Sequence, residues 1–274
     1  MPEPRIATKA MIEQMFDNVA TSYDQTGPSI FTQFGARLVE HMPLTSGASI
    51  LDVATGTGAV LLPAARLLAP AGRVTGVDLS MTILEEAERA VHRSGLTNVE
   101  LRKMDAEHLD FADHSFDIVS CAFAFFLFPD KEAALSEMYR VCKPGGYIVV
   151  STFDKTPPPF NPALPRFAQQ AKDYRVTVPM PHQANNSPEE IEALLNRFGF
   201  RSIETYSETN DITYARVEDW WEFLMTVGPR LTILGMDEKM RTRFKDEYLS
   251  KLRPMLVKDG LHLSVGVVYA IAQC

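Results

Sequence analysis

Short apolar runs and helical spacings take turns along the first half of the chain. The runs are Ala48–Val53, Arg73–Val77, Val99–Lys103 and Phe116–Ala122, and a fifth, Tyr147–Thr152, follows the turn Lys143-Pro144-Gly145-Gly146. A strand covered on both faces reads as a nearly unbroken apolar run, whereas an amphipathic helix brings apolar residues round every three or four positions. Strands separated by helices make βαβ units and a parallel sheet. The pattern predicts an α/β fold.

The helices have readable ends. Ser80 is an N-cap, Ile83, Leu84, Ala87 and Val91 follow at helical spacing, and Gly95 is the stop. Asp130 caps a helix through about Val141 whose inner face is Ala134, Leu135, Met138 and Val141. Ser187-Pro188-Glu189-Glu190 combines a cap, a proline at the first helical position and a capping-box glutamate, ahead of the stripe Ile191, Leu194, Leu195 and Phe198 and the stop Gly199. Two stretches break the alternation. Phe153–Asn186 is irregular and proline-rich, and Val217 to about Pro254 reads as two helices; Leu261–Ala272 closes the chain as a strand. Long insertions beside a sheet commonly cover its ligand-binding edge. We expect a single domain over 1–274, with a core of about 45–152, 188–210 and 261–272 and cap segments of about 1–35, 153–187 and 217–254.

Composition narrows the class. The 274 residues are 46% hydrophobic and 23% charged, ordinary for a globular protein that needs no disulfide or metal to fold. A formal net charge of −8 lowers the expectation of a nucleic-acid partner, which calls for clustered Lys and Arg. Cys121, Cys142 and Cys274 form no CxxC pair, which fits a reducing compartment and excludes a cysteine-built zinc site. No His/carboxylate cluster has ligand spacing, so no metal is expected. No signal region or spanning segment is visible, and a cytoplasmic location is expected.

The chemistry gathers at Ile50-Leu51-Asp52-Val53-Ala54-Thr55-Gly56-Thr57-Gly58, a buried strand running into a loop of small residues that opens a helix near Ala59. Asp78 ends the next strand, where a carboxylate can accept both hydroxyls of a ribose. A dinucleotide site would want a third glycine, and Leu61 stands there. Asp52 would repel a pyrophosphate but attract the ammonium of a methionine moiety. The loop reads as a site for S-adenosylmethionine (SAM).

With those residues the chain resembles the class I SAM-dependent methyltransferases, in the branch related to ubiquinone/menaquinone-biosynthesis methyltransferases. The resemblance runs from about Phe16 to Thr152. It rests on Phe16-Asp17-Asn18-Val19-Ala20-Thr21-Ser22-Tyr23-Asp24, on the glycine-rich loop from Leu51 and on Val77-Asp78-Leu79-Ser80-Met81. Met104-Asp105-Ala106-Glu107, Phe116-Asp117-Ile118-Val119-Ser120 and Arg140-Val141-Cys142-Lys143-Pro144-Gly145-Gly146 follow in the family's order. It implies a Rossmann-like, mostly parallel seven-stranded sheet with helices on both faces, an antiparallel last strand and helical cap insertions. It also implies that Tyr23 closes over the cofactor, Leu79 packs on adenine and Asp105 receives the adenine amino group. The cofactor site it implies is Tyr23, Asp52, Ala54, Thr55, Gly56, Gly58, Asp78, Leu79, Met81, Asp105, Ala106, Cys121 and Phe123.

Two departures stand out. Aligned on Pro129-Asp130, Phe126 and Leu127 occupy places where many relatives carry a histidine pair, and Pro63 falls inside the first helix of the sheet, where it would forfeit a hydrogen bond. The first tilts the acceptor toward one needing little proton abstraction, or a base from the cap. His182 is the one candidate base, and Phe126, His182, Tyr214 and Trp221 are the candidates for the acceptor pocket. The expected activity is methyl transfer to a small, largely apolar or aromatic molecule, with no membrane span; the oligomeric state is left open, a homodimer included. A SAM-binding protein that does not methylate, and an NAD-dependent oxidoreductase, are the alternatives. A base methyltransferase of nucleic acid is disfavoured, because Cys121-Ala122-Phe123-Ala124 stands where an Asn/Asp-Pro-Pro-aromatic motif would be.

Overall fold

The computed structural model describes residues 8–25, 27–176 and 185–274. Two helices, α1 (Lys9–Asp17) and α2 (Ile30–Glu40), precede the sheet. Strand and helix then alternate through β1 (Ser49–Val53), α3 (Leu61–Leu68), β2 (Arg73–Asp78), α4 (Met81–Arg93), β3 (Val99–Lys103), β4 (Phe116–Ala122), α5 (Lys131–Val141) and β5 (Cys142–Asp154). The second half supplies α6 (Ala163–Asp173), the two-residue β6 (Asn185–Asn186), α7 (Pro188–Arg197) and β7 (Arg201–Tyr214). It ends with α8 (Val217–Leu224), α9 (Pro229–Leu234), α10 (Glu238–Leu252) and β8 (Leu261–Gln273).

The sheet order is β3-β2-β1-β4-β5-β8-β7, with β6 added beside β5. Strands β1 to β5 pair in parallel, and β8 runs antiparallel to β5 and to β7. This is the expected seven-stranded Rossmann-like sheet with its antiparallel last strand. Successive residues of a strand point to opposite faces. Ile50 and Ile118 accordingly join Phe34 and Leu38 of α2 and Leu61 of α3 in one core. Leu51, Val53 and Val119 join Leu135 and Met138 of α5 and Ile191 and Leu195 of α7 in the other. The chain order reverses between β1 and β4, and crevices at such a switch point are where open α/β sheets bind ligands.

The caps lie where the sequence puts them. Ser80 Oγ accepts from Ile83 N, Asp130 Oδ1 from Ala133 N, and Ser187 with Glu190 forms the capping box of α7. Four expectations change. The stretch after Phe153 that reads as irregular contains an eleven-residue helix, α6. Pro63 costs no hydrogen bond, because α3 starts at Leu61 and places it in the first turn, where amides have no intrahelical acceptor. The region after Val217 holds three helices, the chain breaking at Gly228-Pro229, where the proline opens α9. Cys142 and Cys274 are joined by a disulfide across 132 positions, and Cys121 alone is free. Pairing of β5 with β8 brings the last residue back to the start of β5, a closeness that sequence spacing does not display.

Helices α6, α8 and α10 pack together at one end of the first core. Trp220 Nε1 donates to Tyr248 Oη at 2.7 Å, and that hydroxyl donates to the Ala163 carbonyl at 3.0 Å. One buried chain of hydrogen bonds thus ties the three helices. No helix among the described residues is long and apolar enough to cross a membrane.

Candidate active site

The loop after β1 meets the loop after β2 through one carboxylate. Asp78 Oδ2 accepts from Gly56 N at 2.9 Å and its Oδ1 from Ser80 N at 3.0 Å. Gly56 and Gly58 adopt φ of 56° and 94°, the left-handed region that glycine enters without steric cost. Two residues without that freedom do the same beside them: Ala54 after β1 and Phe123 after β4, at φ 55° and 53°. Left-handed backbone at non-glycine residues costs free energy and collects at functional sites.

Asp52 is 2% exposed at the end of β1. Its carboxylate accepts from Thr55 Oγ1 at 2.6 Å and from Ser120 Oγ at 2.8 Å. Burial pushes this carboxyl up to about 6, against the pull of those two hydroxyls. Burial likewise raises Asp78, opposed by the amides of Ser80 and Gly56. A cleft with one buried and one half-buried carboxylate has an electrostatic demand for a cationic group.

Around these loops lie two adjoining cavities that share a wall and together form an elongated cleft. Its wider end is lined by Asp78, Leu79, Ser80, Ile83, Met104, Asp105 and Ala106, roofed by Lys9, Ile12, Glu13 and Phe16 of α1. Its narrower end is lined by Asp52, Thr55, Gly56, Thr57 and Val60. Tyr23, Ala54, Gly56, Ala122 and Phe123 border both ends. The Tyr23 ring lies over the loop, its Cε1 3.9 Å from where a Cβ on Gly56 would stand.

Beyond Tyr23 and Phe123 opens a second cavity of about 350 Å³. Rings make most of its wall: Phe16, Phe31, Phe126, Phe153, Phe160, Phe167, Trp220 and Phe223, with Leu127, Leu164, Leu224 and Val227 between them. Phe123 is wedged among Phe153 at 4.8 Å and Phe31 and Phe34 at 5.6 Å, centroid to centroid. Tyr23 stacks on Phe31 at 5.4 Å with only 9° between the planes. Burial, with Asp24 and Asp78 nearby, pushes the Tyr23 phenol far above its ordinary range, so it stays protonated.

Most of the expected cofactor residues thus share one cleft. Three lie outside its lining. Met81 is 52% exposed at the first turn of α4, where Ile83, about 200° further round the helix, takes the inward place. Cys121 is fully buried in the opposite core, because its neighbour Ser120 takes the face toward Asp52. Gly58 supports the loop from beneath, donating its amide to the Thr55 carbonyl. Of the expected acceptor residues, Phe126 lines the ring-walled cavity. Trp221 does not: it packs against Phe244 and Tyr248, and its neighbour Trp220 faces the cavity. Tyr214 sits behind Trp220 and Phe223, fully buried. His182 lies outside the described residues.

Sequence reasoning did not find Lys9 and Glu107. Lys9 Nζ donates to Asp105 Oδ2 at 2.7 Å and pairs with Glu107, whose Oε1 accepts from Asp130 N. A signal was there: Ile12, Met15 and Val19 mark a short amphipathic stripe, with Glu13 and Asp17 on its other side. Among the described residues no group of three or more His, Cys, Asp or Glu could hold a metal ion.

Comparison with known proteins agrees with this geometry. The model of the ubiE/COQ5 methyltransferase family matches residues 5–217. A demethylmenaquinone methyltransferase of Staphylococcus carnosus is 31% identical over 225 residues, 75% of this chain and 91% of that protein. Aklanonic acid methyltransferase DauC of Streptomyces sp. (strain C5) is 34% identical over 165 residues, 58% of this chain and 75% of that protein. Among solved structures the cyclase SpnF superposes with a TM-score of 0.62 at 18% identity, covering 98% of this chain and 97% of its own. That likeness is one of fold. The family match extends over the loop at Gly56, the carboxylates and the Tyr23 segment, and the chain belongs to the ubiE/COQ5 methyltransferase family of SAM-dependent methyltransferases.

Proposed function

We propose that the elongated cleft holds SAM, its amino-acid end at Asp52 and Thr55 and its adenosine end at Asp78, Leu79, Asp105 and Ala106, and that the ring-walled cavity holds a flat, aromatic methyl acceptor. The observation that carries this reading is that Tyr23 and Phe123 line both spaces. Where two binding sites share a wall, their contents can meet. The residues suit the cofactor: a glycine loop leaves room for close approach, Asp78 retains free lone pairs for the ribose diol, and the buried carboxylate of Asp52 favours a cationic group.

Bound there, the cofactor supplies an electrophilic methyl group to a nucleophile in line with its carbon–sulfur bond. The chain's own contribution is placement. Phe126, Phe153, Trp220 and Phe223 offer ring faces and edges, which hold a flat aromatic by offset and edge-to-face contact. The same rings keep water away from the reacting atoms. Tyr23, held protonated, serves as a hydrogen-bond donor and not as a base. An acceptor whose nucleophile is already electron-rich fits such walls best. In the same reading the enzyme is cytoplasmic, where a reducing thiol pool keeps disulfides open. The Cys142–Cys274 bond then forms only on oxidation, and thiol counting in fresh lysate checks this.

The test is labelled-methyl transfer across a panel of aromatic, aliphatic and amine acceptors. Flat aromatic acceptors should react, and Phe126→Ala should raise their KM about tenfold while leaving affinity for S-adenosylhomocysteine (SAH) unchanged. Reaction confined to aliphatic acceptors would contradict the reading.

A further inference from the structure

Asp24 follows Tyr23 directly and has no place in the cofactor chemistry, yet it is 4% exposed and fully engaged. Its Oδ1 accepts from Phe31 N at 3.0 Å. Its Oδ2 accepts from Thr32 N at 2.7 Å and from Thr32 Oγ1 at 2.6 Å. These donors are in the first turn of α2, whose amides have no intrahelical partner. Ser29 stands at the N-cap position of α2 but makes no side-chain cap bond, so Asp24 takes over that task from outside the helix. To do so it adopts a left-handed φ of 53°, and Ser29 one of 47°. Gly27 lies close against Tyr214: a Cβ there would come within 2.8 Å of Tyr214 Cε1.

The residues so joined carry two rings of the shared wall, since Phe31 also borders both the narrower end of the cleft and the ring-walled cavity. Tyr23 precedes Asp24, and Phe31 supplies one of its donors. Tyr23 and Phe31 stack nearly parallel, and Phe31 in turn meets Phe123 edge-on. A helix cap alone would account for the hydrogen bonds but not for a strained, buried residue making them from next to a cofactor-facing tyrosine. We propose that Asp24 is a positioning residue for methyl transfer: it ties the backbone after Tyr23 to the start of α2 and so holds Tyr23 and Phe31 as one wall between cofactor and acceptor. The proposal rests on the reading of the cleft as the SAM site.

Calorimetric titration with SAH tests it, using wild type, Asp24→Ala, Tyr23→Ala and the double variant. Asp24→Ala should weaken SAH about tenfold, as Tyr23→Ala does, and the double variant should be within about twofold of the weaker single one, because both remove the same wall. A pure cap would lower thermal stability and leave SAH affinity within about twofold of wild type, which overturns the proposal; so does a double variant whose loss is the product of the two singles. If Asp24→Ala does not fold, Thr32→Val removes one donor while keeping shape. It should weaken SAH about threefold, and unchanged affinity overturns the proposal. Failure of wild type to bind SAH would instead strike the cofactor reading on which the proposal stands.

Discussion

If the cleft holds SAM as proposed, Asp52 trades stability for binding. Its folded-state carboxyl lies near 6, above the 3.8 of an unfolded aspartate, because burial disfavours the charged form. The folded chain therefore takes up a proton between about pH 6 and 4 that the unfolded chain does not yet bind. Stability from this group rises as pH falls through that window and is lower at neutral pH, by something on the order of 1–3 kcal/mol. An ammonium group held beside the carboxylate, such as that of the amino-acid end of SAH, reverses the preference. SAH affinity should be flat above pH 7 and fall below pH 6, and calorimetry across that range checks the sign. Asp52→Asn should weaken SAH at least tenfold at pH 7.5 while raising the melting temperature of the free protein by a few degrees. This carboxylate was legible from sequence because an acid at the end of an apolar strand is costly to bury, and the glycine loop beside it leaves room for a ligand that needs its charge. Which of two adjacent tryptophans faces a ligand was not. Trp220 and Trp221 differ by about 100° around α8, and only the packing of α8 on α6 and α10 decides between them.

Helix α1 presents the same contrast between elements. Lys9, Glu13 and Asp17 fall four residues apart, on one side of the helix, and each reaches the rim of the cleft. Lys9 meets Asp105 and Glu107; Glu13 accepts from Lys103 Nζ; Asp17 accepts from Ser80 Oγ. Ile12 and Phe16, on the adjoining side, line the cleft itself. The helix is short, and partly exposed ion pairs are weak, each contributing at most about 1 kcal/mol. Its grip should accordingly set how fast ligand leaves more than whether the protein folds. Lys9→Ala should speed SAH dissociation about three- to tenfold in stopped-flow measurements, with a melting temperature within about 2 °C of wild type. A rate equal to wild type would show that α1 is no barrier. The strands that build the floor were readable because a doubly covered strand is apolar throughout. A nine-residue helix with two buried apolar positions carries only a faint periodic signal, which marks an amphipathic stripe but not the polar residues it sets over the cleft.

The fold as a unit sets the strand ends of β1, β2 and β4 against an assembly of helices that the alternation of strands does not foretell. The junction of that assembly is the chain from Trp220 through Tyr248 to Ala163. Tyr248→Phe should strand a buried indole N–H and a carbonyl, costing about 1–3 kcal/mol in denaturant unfolding, with SAH affinity unchanged. The disulfide shows the limit of reading a chain linearly: Cys142 and Cys274 become neighbours only after β5 and β8 have paired. The ring-walled cavity was out of reach for the same reason, since its rings come from α1, α2, α6 and α8 and from the ends of β4 and β5. In the proposed reading methyl transfer depends on the wall those elements share with the cleft, and a crystal structure with SAH bound tests that wall directly. The ribose hydroxyls should meet Asp78, and the sulfur should lie within about 4 Å of the Tyr23 or Phe123 ring, facing the ring-walled cavity. A sulfur directed away from that cavity, or SAH bound elsewhere, would contradict it.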